Sequence, residues 1–244
     1  MNNLTDSWQI PNNIRYYVTT RNHGLSIPPF ATNNLATHVG DDLHTVLMNR
    51  QALRAELNLI NEPHWLQQIH SNRCVIIEQD TNREADATIT TTTQQALVIM
   101  TADCLPILLC NQHGTEIAAI HAGWRGLLNG IIENTVAKLR SRAQDTLAWI
   151  GPGICKTCFA IKQDVVDAYL AKYAFSIDNF RNTHNQGVWH ADLAGIAEKI
   201  LNTVNINNVY KSNVCTFEQQ NDFYSYRRDG ETGRMATLIW IEHE

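Results

Sequence analysis

Between residues 73 and 121 the chain carries four short apolar runs, at 73–78, 96–101, 105–110 and 116–121, each bounded by polar or turn residues. Runs of this length are too short for core helices and fit strands buried on both faces. The period then changes. Leu127, Leu128, Ile131, Ile132, Thr135, Val136 and Leu139 form one apolar stripe at helical spacing, which predicts a helix over 125–141. Further strands are expected at 14–20, 148–150 and 235–241, and further helices at 45–59, 163–173 and 191–204. Strands clustered in the middle with helices interspersed later require a mixed sheet, and so an α+β or α/β fold.

With 244 residues and no Pro-, Gly- or Ser-rich linker, the chain reads as one compact domain over 10–241 with a substantial core. Its net charge of −5 and lack of a basic run exclude a nucleic-acid backbone binder. No stretch reaches the roughly 18 apolar residues of a membrane span. The polar segment Met1–Pro11 lacks the apolar centre of an export signal, so the expected compartment is the cytoplasm. The six cysteines (74, 104, 110, 155, 158 and 215) are therefore expected as thiols.

Three segments concentrate chemistry at the ends of predicted strands: Gln67-Gln68-Ile69-His70-Ser71, Thr101-Ala-Asp-Cys-Leu-Pro106 and Ile120-His-Ala-Gly-Trp-Arg-Gly126. His70, Cys104 and His121 lie 34 and 17 residues apart, which is no local finger spacing, but the ends of neighbouring strands lie side by side. Two imidazoles and a thiolate suit zinc, with a fourth position open to water or substrate. The alternative is two hydrogen-bonded histidines and a small buried thiol. Arg125, at the start of the predicted helix and flanked by glycines, can grip an anion. Residues 223–234, with Arg227, Arg228 and Arg234 beside Tyr224 and Tyr226, read as a loop able to hold a planar base and an oxyanion. Cys155-x-x-Cys158 has redox-like spacing, but the Gly-Pro-Gly before it and the lack of a second cysteine pair argue against redox or zinc-finger use. Asp42 reads as a helix cap, and His38, His44 and His64 as structural or solvated. Asp103 is the nearest acid in its motif; an extended segment would aim it away from Cys104.

Taken in order, several segments resemble the laccase-domain-containing, YfiH-like family. They are His70-Ser71, Glu84-Ala-Asp-Ala87, Thr101-Ala-Asp-Cys-Leu-Pro-Ile107, His121-Ala-Gly-Trp-Arg-Gly126, Ile150-Gly-Pro152 and Phe223-Tyr-Ser-Tyr-Arg-Arg-Asp-Gly230, with Phe30, Asn34-Leu35 and His38-Val-Gly-Asp41 upstream. One departure is Ala160, where the resemblance implies an acidic residue.

The resemblance implies a single four-layer α/β/β/α domain. Its zinc site would be His70, Cys104 and His121, with copper as the alternative ion. Catalysis falls to Cys104, His121 and Arg125, and substrate binding to Arg125, Arg227, Arg228 and Asn34. It also implies phosphorolysis of adenosine, inosine and methylthioadenosine, with deamination of adenosine, on a small nucleoside and phosphate. Other activities described in the family are peptidoglycan editing, which a metal-dependent or cysteine hydrolase would perform, and polyphenol oxidation. Laccases proper gather many histidines in His-x-His pairs around several coppers; this chain has ten histidines and no such pair. Copper can still out-compete zinc for the His-Cys-His donors.

Overall fold

The computed structural model describes residues 8–183, 185 and 187–243. The first seven residues of the polar N-terminal stretch lie outside the described residues.

Two sheets face each other. The smaller has strand order β1 (Ile14–Val18), β13 (Met235–Ile241), β5 (Leu97–Thr101) and β2 (His64–Trp65). The larger runs β12 (Asn208–Lys211), β8 (Thr146–Ile150), β6 (Leu105–Asn111), β7 (Ile117–Ala122), β4 (Ala87–Thr90) and β3 (Cys74–Ile76). Both mix parallel and antiparallel pairs, such as β2 with β5 and β5 with β13. A third, three-stranded sheet, β10 (Phe180–Asn182), β11 (Val188–Ala191) and β9 (Ala160–Lys162), is hydrogen-bonded to neither but shares the core of the larger one.

The apolar runs are continuous because both faces of these strands are covered. On β6, Leu105, Ile107 and Leu109 pack with the helices, while Leu108 and Cys110 face the smaller sheet. On β5, Leu97 and Ile99 face the larger sheet, and Val98 and Met100 join Leu53 of helix α1 (Leu43–Glu56) on the outer side. The period-2 alternation thus feeds two cores per strand. The outer layer over the larger sheet holds α2 (Trp124–Asn129), α3 (Ile131–Val136), α4 (Gln163–Lys172) and α5 (Leu193–Thr203). The order of layers is helices, sheet, sheet, helix, which is the α/β/β/α arrangement.

Two expectations are corrected. The helix over 125–141 is two short helices, because Gly130 adopts φ +90°, a left-handed conformation that costs glycine little, and caps α2. The stretch 223–234 is not all loop: Tyr226–Asp229 form one helical turn, α6, capped by Ser225, whose hydroxyl accepts from the Arg228 N–H. Asp42 caps α1 as expected, accepting from the Thr45 N–H at 2.8 Å. All six cysteines are free thiols. Among the described residues no helix is long and apolar enough to cross a membrane.

Candidate active site

His70, Cys104 and His121 converge at one end of the facing sheets. His121 is on β7, Cys104 ends the three-residue link from β5 to β6, and His70 lies in the loop after β2. Their donor atoms all lie within 4.8 Å of one another, and Cys104 Sγ stands 3.8 Å from His70 Nε2. The two imidazoles meet edge to face, with centroids 4.7 Å apart.

A carboxylate assembles the triangle. Asp86, fully buried just before β4, accepts from the backbone N–H groups of Ile69, His70 and Ser71 and from the Ser71 hydroxyl. It also accepts from His121 Nδ1 at 2.8 Å, which leaves Nε2 turned toward the cluster. His70 takes a left-handed φ of 59° to make this turn. Gln68 prepares it by exchanging hydrogen bonds with the Met100 backbone, which ties the loop to β5. A Cβ at position 123 would stand 2.9 Å from Cys104 Sγ, so glycine there keeps the thiol side open.

Burial opposes ionisation of Cys104, but the imidazoles of His121 and His70 outweigh it and bring the thiol down to about 6. Burial also disfavours charge on His121, which Cys104 and Asp86 nevertheless raise to about 9. Asp86 is held below the usual carboxylate range: its burial would raise it, and bonds from His121 and Ser71 prevail. An open triangle of one soft thiolate and two imidazoles, oriented from behind by a carboxylate, fits a zinc- or copper-class ion.

The cluster opens into a cavity of about 510 Å³, within the range of small-molecule sites. Arg125, Arg227 and Arg234 supply positive charge to its wall, and Trp124, Phe159 and Tyr226 supply flat apolar surface. Arg125 lies over the Trp124 ring at 4.2 Å, with no hydrogen bond or ion pair engaging its guanidinium among the described residues. Since α2 spans only six residues, the case for anion binding rests on this side chain rather than on a helix end. Arg227 Nη1 donates to the Ala160 carbonyl at 2.8 Å, where the resemblance implied an acidic residue nearby.

Two residues expected to bind substrate are placed elsewhere. Arg228 donates to the carbonyls of Thr216, Phe217 and Phe223, so its fork is spent inside the protein. Asn34 is fully buried and bonds Ala36, Asp41 and the Arg234 backbone. It positions the cavity wall without lining it. Asp103 is not extended but left-handed at φ 92°, and its carboxylate accepts from Thr216 Oγ1 and the Arg227 N–H, each at 2.7 Å.

Arg234, part of the segment expected to hold a base and an oxyanion, does line the cavity, whereas the sequence does not single out His38 and Phe159 as cavity residues or Asp86 as the organiser. Asp86 had a signal, a lone acid between alanines next to a strand; His38 and Phe159 had none beyond residue type.

The multi-copper polyphenol oxidoreductase laccase family model matches residues 15–242. A Haemophilus influenzae protein named purine nucleoside phosphorylase is 40% identical over 248 residues, covering 99% of this chain and all of that one. A Pseudomonas aeruginosa protein also named purine nucleoside phosphorylase is 40% identical over 241 residues, covering 98% of each. Among solved structures, a Neisseria meningitidis protein superposes with a TM-score of 0.91 at 38% identity, covering 97% of both chains. YlmD from Geobacillus stearothermophilus gives 0.88 at 28%, covering 95% of this chain and 93% of that one. With fold, ordered motifs and full-length relatives in agreement, the chain belongs to the laccase-like, YfiH-related family.

Proposed function

We propose that this protein is a metal-dependent purine nucleoside phosphorylase, acting on adenosine, inosine and methylthioadenosine, that also deaminates adenosine. One observation carries the reading: a three-donor cluster shares a cavity with the unengaged guanidinium of Arg125 and three aromatic rings. The names of the relatives support it. His70, Cys104 and His121 would hold the zinc, which would supply Lewis acidity able to activate a water near neutral pH.

The chain's own residues do the rest. Trp124, Phe159 and Tyr226 offer faces on which a purine can stack. Arg125 and Arg227 hold hydrogenphosphate so that one of its oxygens attacks C1′ as the bond from C1′ to the purine nitrogen breaks, and the proton that the phosphate gives up ends on the departing purine. Asp86 keeps His121 in one tautomer throughout. Arg234, fixed through Asn34, adds charge at the same wall. Incubation with adenosine and phosphate, followed by mass spectrometry, tests the proposal. Adenine with ribose 1-phosphate, and inosine from deamination, are the expected products; their absence in zinc-loaded protein removes it.

A second reading is favoured by the thiolate–imidazolium character of Cys104 and His121: a cysteine hydrolase acting on peptidoglycan precursors. Metal-stripped protein that cleaves such substrates and is inactivated by iodoacetamide would establish it instead.

A further inference from the structure

A second group of metal-type donors lies outside the cavity. Cys155, Cys158, Cys215 and Glu218 each place a donor atom within 4.8 Å of the others. The sequence shows Cys155-x-x-Cys158 as a pair without a partner. The fold supplies the partner as Cys215-x-x-Glu218, with a carboxylate in the fourth place. Each four-residue segment is closed by a turn. The Cys158 and Phe159 N–H groups donate to the Cys155 carbonyl, and the Gln219 N–H donates to that of Cys215. The two turns are locked together by a parallel bridge between Gly153 and Cys215. Cys155 N–H donates to Cys215 Sγ at 3.3 Å, and Glu218 Oε1 stands 3.6 Å from the sulfurs of both Cys155 and Cys158.

We propose that Cys155, Cys158, Cys215 and Glu218 form a second, structural zinc site. Tetrahedral zinc with bonds of about 2.3 Å sets its sulfurs about 3.8 Å apart, so these donors need only a slight contraction. Paired x₂ spacings on two turns are the usual framework of closed four-ligand sites. Three cysteines buried or half-buried and one exposed carboxylate leave no place for substrate.

The consequence for the cavity is direct. Phe159, in its wall, follows Cys158. Thr216, between two ligands, donates to Asp103, and Asp103 in turn accepts from the Arg227 N–H. Zinc here fixes this part of the cavity wall. The inference stands or falls independently of the phosphorylase reading, because its readout is metal and not turnover.

Elemental analysis of protein purified under reducing conditions should find two zincs per chain, and one in both Cys104→Ser and Cys158→Ser. Cobalt-loaded Cys104→Ser, which keeps the proposed cluster intact, should retain strong thiolate-to-metal absorption of a multi-thiolate tetrahedral site. Should Cys158→Ser fail to fold, Glu218→Gln keeps every thiol and should still lower zinc retention against a chelator severalfold. A single zinc that Cys104→Ser abolishes overturns the proposal. So does a Cys155–Cys158 disulfide in the purified protein, seen as the loss of two hydrogens in the peptide mass.

Discussion

The two donor clusters solve the same chemical problem in opposite ways. His70, Cys104 and His121 are gathered from strand ends of two sheets, oriented by a buried carboxylate and left open to a cavity of about 510 Å³. Cys155, Cys158, Cys215 and Glu218 come from two turns and supply four donors, and the cavity that Cys155 borders, about 190 Å³, is much smaller. Three donors with an oriented histidine leave room for chemistry; four donors on turns leave none. The difference teaches that the number of ligands and the elements carrying them separate a reaction site from a fastening.

The strongest way to break that contrast is Cys104→Ser. It should lower phosphorolysis and deamination more than about a hundredfold, exceeding what loss of a supporting residue costs, while circular dichroism stays native. Full activity in that variant, measured alongside zinc content, would make the open cluster dispensable. Asp86→Asn comes next. It keeps the shape but removes the charge that orients His121, and it should weaken metal affinity by about 10- to 100-fold in a chelator competition. Unchanged affinity would mean the triangle orients itself.

Arg125→Ala tests the cavity rather than the metal. Loss of a charged hydrogen bond to phosphate costs about 1.5–3 kcal/mol, so phosphorolysis should fall roughly ten- to a hundredfold with deamination nearly intact. Equal losses in the two steady-state assays would make Arg125 a support for fold or base.

The smallest effect lies outside both clusters and separates acid unfolding from acid release of metal. Burial, with a smaller push from Arg83, brings His64 down to about 4. Its folded value is below its unfolded value, so the stability it lends is complete above about pH 6.5 and is lost as pH falls toward about 4. In the Cys104→Ser background, His64→Gln should flatten the decline between pH 6.5 and 5 by about 1–2 kcal/mol in urea titrations. An unchanged slope would mean another group governs it.

The open cluster was legible in the sequence because its residues are chemically unusual and sit where apolar runs stop. The layers were legible for a related reason: strands apolar on both faces must be covered on both faces. Charge was harder to place. Arg227 and Arg228 are adjacent and alike, yet a single helical turn sends one guanidinium toward the cavity and the other onto three carbonyls. Asn34 entered as a binder through the resemblance alone, and its complete burial among internal hydrogen bonds is not visible in the sequence. Cys155-x-x-Cys158 stands alone in the sequence because Cys215 and Glu218 lie far along the chain, a grouping no local pattern exposes.

The link Ala102–Cys104 carries the chain from the smaller sheet to the larger, and the three donors are drawn from both. The distance between the sheets is therefore written into the ligand triangle. Ile99, Leu108, Ala119 and Met235, packed between the sheets, act as spacers for a site they never touch. A methylene gained or lost there shifts one sheet against the other, because close-packed interiors pass strain on. Over generations such positions drift most easily in compensating pairs that keep the summed volume. A search for distant modulators of this site should begin in that shared interior, not around the rim of the cavity.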